Sequence, residues 1–165
     1  MKRLTVAVPK KWRNRLIKVI NLEHELCTKK KKLEILKKGE DALKIPCGWL
    51  SISQLVDYIV QQYVTRKDID LDFFKTKNKD TLSLNGKLSI TFNDDTYKKV
   101  QNFRKRLARK GRCISFAEVV RSAIKSWFES ERPIYHLKKE IENVEKLIKK
   151  YESKKEKRME MWHRP

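Results

Sequence analysis

Residues 86–93 read Gly-Lys-Leu-Ser-Ile-Thr-Phe-Asn, and residues 2–9 read Lys-Arg-Leu-Thr-Val-Ala-Val-Pro. Both stretches alternate, with Leu88, Ile90 and Phe92 in one and Leu4, Val6 and Val8 in the other. Alternation with period two marks a strand that has one buried and one polar face. The polar faces correspond as well: Lys87, Ser89 and Thr91 against Arg3, Thr5 and Ala7. The two strands are offset by 84 residues.

Each strand leads straight into a helix. Pro9 suits the first turn, where a missing N–H costs nothing, and Asn93, Asp94 and Asp95 offer N-cap chemistry at the second site. Tyr97, Val100, Phe103 (or Arg104) and Leu107 keep helical spacing, and Gly111 suits the residue that closes the helix at positive φ. A second helix follows in each half. Ser51-Ile-Ser-Gln54 and Ser115-Phe-Ala-Glu118 both read as capping boxes. Behind them lie Leu55, Val56, Ile59, Val60, Tyr63 and Val64 in one half, and Val119, Val120, Ala123, Ile124, Trp127 and Phe128 in the other. Such a wide stripe fits a helix buried in a shared core.

The capping boxes are offset by 64 residues, so the first half carries about 20 extra residues, which fall within 24–48. This insertion holds Lys29-Lys30-Lys31-Lys32 and Lys37-Lys38-Gly39, and it predicts a longer first helix and then a loop through Gly39, Pro46 and Gly48. A solvated helix face explains the Lys run better than a phosphate-contacting projection. Residues 65–86 are polar and end on the Asn85-Gly86 turn signal. Asp68, Asp70 and Asp72 alternate with Ile69, Leu71 and Phe73 as a short extra strand or a packed linker would, and they lack the Gly and terminal Glu of a calcium loop. After Pro133, Ile134, Leu137, Ile141, Val144, Ile148 and Tyr151 form a heptad seam. That seam predicts pairing with another chain, as a homodimer or higher assembly through 134–151, in preference to packing back on its own domain. The polar end from Lys154 to Arg164 is expected to fray.

Lys and Arg number 41 against 21 Asp and Glu, a formal net charge of +20. An excess of that size weakens the compact state unless a polyanion neutralises it. Nucleic acid is the first such partner and an anionic membrane surface the second. No apolar run reaches the roughly 18 residues that a span needs, and no signal-type apolar stretch follows Met1, so an intracellular, cytoplasmic protein is expected. Cys27, Cys47 and Cys113 are scattered, as are His24, His136 and His163, so neither a metal site nor a cofactor is expected. No phosphate-binding loop, nucleophile elbow or HExxH motif occurs, and no catalytic residue is assigned.

The expected fold class is mainly α with a short two-stranded antiparallel ribbon (α+β). Its parts are a first unit at 1–64, a linker at 65–86, a second unit at 87–130 and a C-terminal helix at 133–162. A strand and two helices are too small to enclose a core alone. Two copies sharing one core would expose the polar face of a ribbon whose width fits the major groove of B-DNA.

With these residues in hand, the sequence resembles the ribbon-helix-helix superfamily of the MetJ/Arc/CopG type, closely over 87–128 and less closely over 2–12 and 48–64. Tandem fusion resembles TraY-type conjugation proteins and regulators of archaeal viruses and plasmids, and the Lys- and Ile-rich composition leans to the latter (host cytoplasm, if viral). The resemblance implies a double-stranded DNA-binding, repressor-like regulator. It implies base reading by Arg3, Thr5, Ala7, Lys87, Ser89 and Thr91, with Ala7 offering apolar contact only. It also implies phosphate contacts at Lys2, Ser51, Ser53 and Ser115, where helix N-termini offer free N–H groups. A DNA-coating protein, or an accessory protein of conjugation or replication, is the alternative.

Overall fold

A computed structural model describes residues 1–38, 48–49, 51–66 and 84–162. Its elements, in chain order, are β1 (Lys2–Val8), α1 (Lys10–Lys38), α2 (Ile52–Thr65), β2 (Gly86–Phe92), α3 (Asp94–Arg109), α4 (Phe116–Ser130) and α5 (Pro133–Trp162). The described chain is therefore mainly helical, with one two-stranded antiparallel sheet.

In that sheet Arg3 faces Thr91, Thr5 faces Ser89 and Ala7 faces Lys87. Thr5 thus pairs with the residue 84 positions further on, which is the offset of the sequence repeat itself. The alternation has its expected result. Val6, Val8, Leu88, Ile90 and Phe92 are buried, Leu4 is half-buried, and the intervening side chains turn outward. Gly86 opens β2 where the chains crowd: a Cβ there would lie 3.0 Å from the Val8 carbonyl oxygen and 3.1 Å from Lys10 Cα.

The same offset carries through the next helices. Trp12, Leu16 and Val19 are buried in α1, and Thr96, Val100 and Phe103 are buried at the matching places in α3. The helical spacing predicts Tyr97 on this face; it is half-buried and stacks on Phe116 with ring centroids 5.3 Å apart, one residue beyond the buried Thr96. In α2 and α4, Leu55, Val56, Ile59, Val60 and Val64 match Val119, Val120, Ala123, Ile124 and Phe128, all buried. Full burial of such side chains stabilises by roughly 1.5–3 kcal/mol each, so these two stripes supply much of the driving force.

Helix starts depart from expectation in two details. Pro9 precedes the first helical residue, and its carbonyl accepts from the Trp12 and Arg13 amides at 2.9 and 3.4 Å. Ser115 and Glu118 form a complete capping box, whereas Ser51 makes only half of one. Its hydroxyl accepts from the Gln54 amide at 3.2 Å, but the Gln54 side chain meets that hydroxyl rather than the Ser51 amide.

The chain divides into two compact units, one of Met1–Ile17 with Leu50–Arg132 and one of Lys18–Trp49 with Pro133–Pro165. Within the insertion, residues 24–38 continue α1, a single helix of 29 residues that ends at Lys38. Gly39, Pro46 and the Asp68–Asp72 stretch lie outside the described residues. In the second unit Lys30 pairs with Glu140 (2.5 Å), Lys29 with Glu145 (2.7 Å) and Lys32 with Glu152 (2.7 Å). The Lys37 ammonium lies 5.8 Å from the Tyr151 ring centroid. Glu23 lies near Glu140, early in both helices, and Lys37 near Tyr151, late in both, so the helices run parallel. The Lys run is thus half of an ion-pair ladder.

The α5 seam expected to join a second chain is occupied within this one. Leu137, Ile141, Val144 and Ile148 are buried in the unit that also holds the buried Leu26, Cys27 and Leu33 of α1. The insertion supplies the partner helix, and a partner in the same chain avoids the translational and rotational cost of association. The end of α5 stays helical to Trp162 rather than fraying at Lys154. Lys, Glu, Arg and Met dominate it, all strong helix formers.

Candidate nucleic-acid interface

The antiparallel register gathers six candidate residues on one side of the ribbon. Arg3, Thr5, Lys87, Ser89 and Thr91 are exposed there, and Ala7 is half-buried. Thr5 Oγ1 and Ser89 Oγ stand 3.4 Å apart at its centre. Arg3 and Lys87 occupy opposite corners on opposite strands, four residues apart in register, or roughly 13 Å along the ribbon. Lys2 is exposed on the strand end beside the chain's amino group, which is held 2.7 Å from Asp94 Oδ1. That pair draws the Asp94 carboxyl below its usual range.

The phosphate candidates fare differently from one another. Ser51 stands at the start of α2 with no carboxylate in the first turn. Ser115 stands at the start of α4, where its own amide already donates to Glu118 Oε2 at 2.7 Å. A carboxylate in that position competes with any incoming anion, so α2 offers the more receptive N-terminus. Ser53 is engaged within the fold: its hydroxyl accepts from the Thr91 amide at 2.6 Å and donates to the Thr91 carbonyl at 3.3 Å. That ties the first turn of α2 to the end of β2.

Two side chains that the sequence did not single out hold the ribbon ends. Asp57 of α2 accepts from the Asn93 amide at 3.1 Å and from Asn93 Nδ2 at 2.9 Å. Partial burial pushes the Asp57 carboxyl up despite those bonds. Arg121 of α4, 64 positions later, donates to the Ala7 carbonyl at 3.1 Å. Also outside the sequence candidates are the exposed cations Lys105, Arg109 and Lys110 of α3 and its last turn. The signal for them was present, since residues 96–117 contain eight Lys and Arg and no Asp or Glu.

Among the described residues no group of three or more His, Cys, Asp or Glu side chains could hold a metal ion. Of the cysteines described there, Cys27 is buried and Cys113 exposed, both as free thiols. No helix of the described chain is long and apolar enough to cross a membrane. Comparison with protein-family models, with curated proteins and with solved structures finds no match to this chain.

Proposed function

We propose that the chain is a tandem ribbon-helix-helix protein that binds double-stranded DNA sequence-specifically as a repressor-like regulator, laying its ribbon in the major groove. The register is the observation that carries this reading. Thr5 faces its own counterpart in the repeat, so the two halves relate as the halves of a dimer would, with the exposed polar faces side by side. A two-stranded ribbon fits the major groove, where each base pair shows a distinct pattern of donors and acceptors.

The chemistry of the face supports the same reading. Arg3 and Lys87 suit guanine O6 and N7, Thr5, Ser89 and Thr91 suit a base edge or a thymine methyl, and Ala7 suits apolar contact alone. Because Ala7 is the counterpart of Thr91, the two half-sites differ and the preferred duplex is not a perfect palindrome. Ser51 leads the backbone contacts, with Lys2 beside the ribbon and Ser115 second because of Glu118. The role of Ser53 is to set Thr91 in place.

Selection from a random duplex pool, repeated with Arg3→Ala and Lys87→Ala, tests the proposal. An enriched motif that weakens at different positions in the two variants supports ribbon readout. The net charge of +20 favours a second reading, DNA coating with little sequence preference. Tight, salt-sensitive binding to every duplex, unchanged in both variants, would establish coating and remove the regulator.

A further inference from the structure

The two halves of the molecule treat one helix face in opposite ways. In α3 the solvent side carries Lys105 and Arg109, followed by Lys110, all exposed and with no side-chain hydrogen bond or ion pair among the described residues. At the positions 84 residues earlier stand Asn21, Glu25 and Leu26. Leu26 is buried, and Glu25 lies 3.6 Å from Lys29. Gly111, with φ of +77°, ends α3, whereas its counterpart Cys27 lies inside the uninterrupted α1. One copy thus ends in a basic turn, and the other continues as a helix whose matching positions hold an exposed Asn21, an exposed Glu25 and a buried Leu26, with no cation among them.

A helix C-terminus favours a cation or two, worth roughly 0.3–1 kcal/mol each. Arg106 and Arg109 stand in the last turn of α3, and Arg106 is already used, donating to the Val64 carbonyl at the end of α2 at 3.4 Å. Arg104 is used as well: its Nε donates to the Ile114 carbonyl at 2.8 Å, binding the last turns of α3 to the segment that enters α4. Soluble surfaces intersperse both signs of charge. A stretch of 22 residues with eight cations and no acid does not. Lys99 meets Asp95 at 2.6 Å and Lys98 lies near Asp94, whereas the side chains of Lys105, Arg109 and Lys110 meet no acid among the described residues. Lys110 stands five residues before Ser115, and six residues beyond that Arg121 grips the Ala7 carbonyl, at the ribbon end where Lys87 stands.

We propose that Lys105, Arg109 and Lys110 grip the sugar–phosphate backbone of duplex DNA on one flank of the ribbon only, which gives the bound protein a fixed polarity on its site. The inference rests on the DNA-binding reading above and adds a lopsided footprint to it. These contacts carry no base information; they set orientation and salt dependence.

The test compares the full chain with a Lys105→Gln, Arg109→Gln, Lys110→Gln variant and with a Lys146→Gln, Lys149→Gln, Lys150→Gln variant. The second removes the same charge from exposed positions on α5. Gln keeps the helix propensity of the residues it replaces. Hydroxyl-radical footprints on the selected duplex, and affinity against salt, are the readouts. The α3 variant is expected to lose protection on one side of the site and to flatten the salt slope by about three, near 0.9 per phosphate contact, with its selected motif unaltered. The α5 variant is expected to keep the footprint. An unchanged footprint and slope in the α3 variant, or equal changes in both, overturns the proposal. If the unsubstituted chain protects no duplex at all, the DNA-binding reading itself falls.

Discussion

Asp57 and Arg121 occupy equivalent places in the two halves, and both secure a junction between ribbon and helix, yet their charges are opposite. The cause lies at their targets. Asn93 has an amide N–H to give, so an acceptor serves there, and Asp57 takes it at 3.1 Å. Its counterpart is Pro9, which has no N–H; a carboxylate would find nothing to accept, and Arg121 donates to the Ala7 carbonyl. Neither partner was legible in the sequence, because a polar contact across 36 or 114 residues leaves no periodic trace. A third residue gives a prediction. The Tyr63 hydroxyl is buried and makes no hydrogen bond of full geometry among the described residues, although the Ser122 hydroxyl lies near it, and burial pushes its pKa up to about 12. An unsatisfied buried polar group costs stability that its removal returns. Tyr63→Phe is therefore expected to raise the unfolding free energy by up to ~1 kcal/mol in urea titration. A loss of stability would mean that the hydroxyl does have a partner.

At the scale of elements, Gly111 marks where α3 stops and α4 can begin. With φ of +77° and open space around it, a side chain would meet no clash but would strain the backbone. Gly111→Ala is expected to cost about 1 kcal/mol, seen as a lower thermal midpoint with unchanged helix content. The strands, the Ser115 capping box and the α2 and α4 stripes were legible because each rests on short-range periodicity or spacing. The choice of partner for α5 was not. A heptad seam states that a helix has a partner and leaves open which one. The answering face on α1 buries Val19, Leu26 and Leu33, seven residues apart, but Glu23, Lys30 and Lys37 stand at the alternate positions, so half of that seam is charged and does not announce itself. The capping boxes looked alike in sequence because Gln and Glu both fit the pattern; only the Glu118 carboxylate closes the loop to its serine amide.

For the molecule as a whole, the net charge of +20 is unevenly spent. The unit containing the ribbon has 23 Lys and Arg against 10 Asp and Glu, and the other has 18 against 11. In the second unit the charges answer one another across α1 and α5. Lys29 holds the Glu145 carboxyl low across the pair and Lys38 does the same for Glu34 within α1, while burial and then the Glu140 charge push Glu23 the other way. Groups whose folded pKa is depressed contribute stability that is present above their unfolded pKa and lost as pH falls through the folded value. Helicity of the α1–α5 pair, followed by circular dichroism from pH 7 down to about pH 3, should therefore fall with acid. Added salt should blunt the difference, since exposed pairs are screened. A pair that gains stability on acidification would contradict this account of the ladder.

The central claim is that the exposed ribbon face reads DNA sequence, and the specificity ratio tests it most directly. This is the affinity for the selected duplex over a scrambled one at a single salt concentration, measured for the unsubstituted chain and for Arg3→Ala. Loss of a good base contact costs about 1–3 kcal/mol of discrimination. The account therefore predicts that the ratio drops by roughly ten- to a hundredfold, while binding to the scrambled duplex weakens only slightly. An unaltered ratio, or an equal loss on both duplexes, would show that the ribbon contributes charge and no readout.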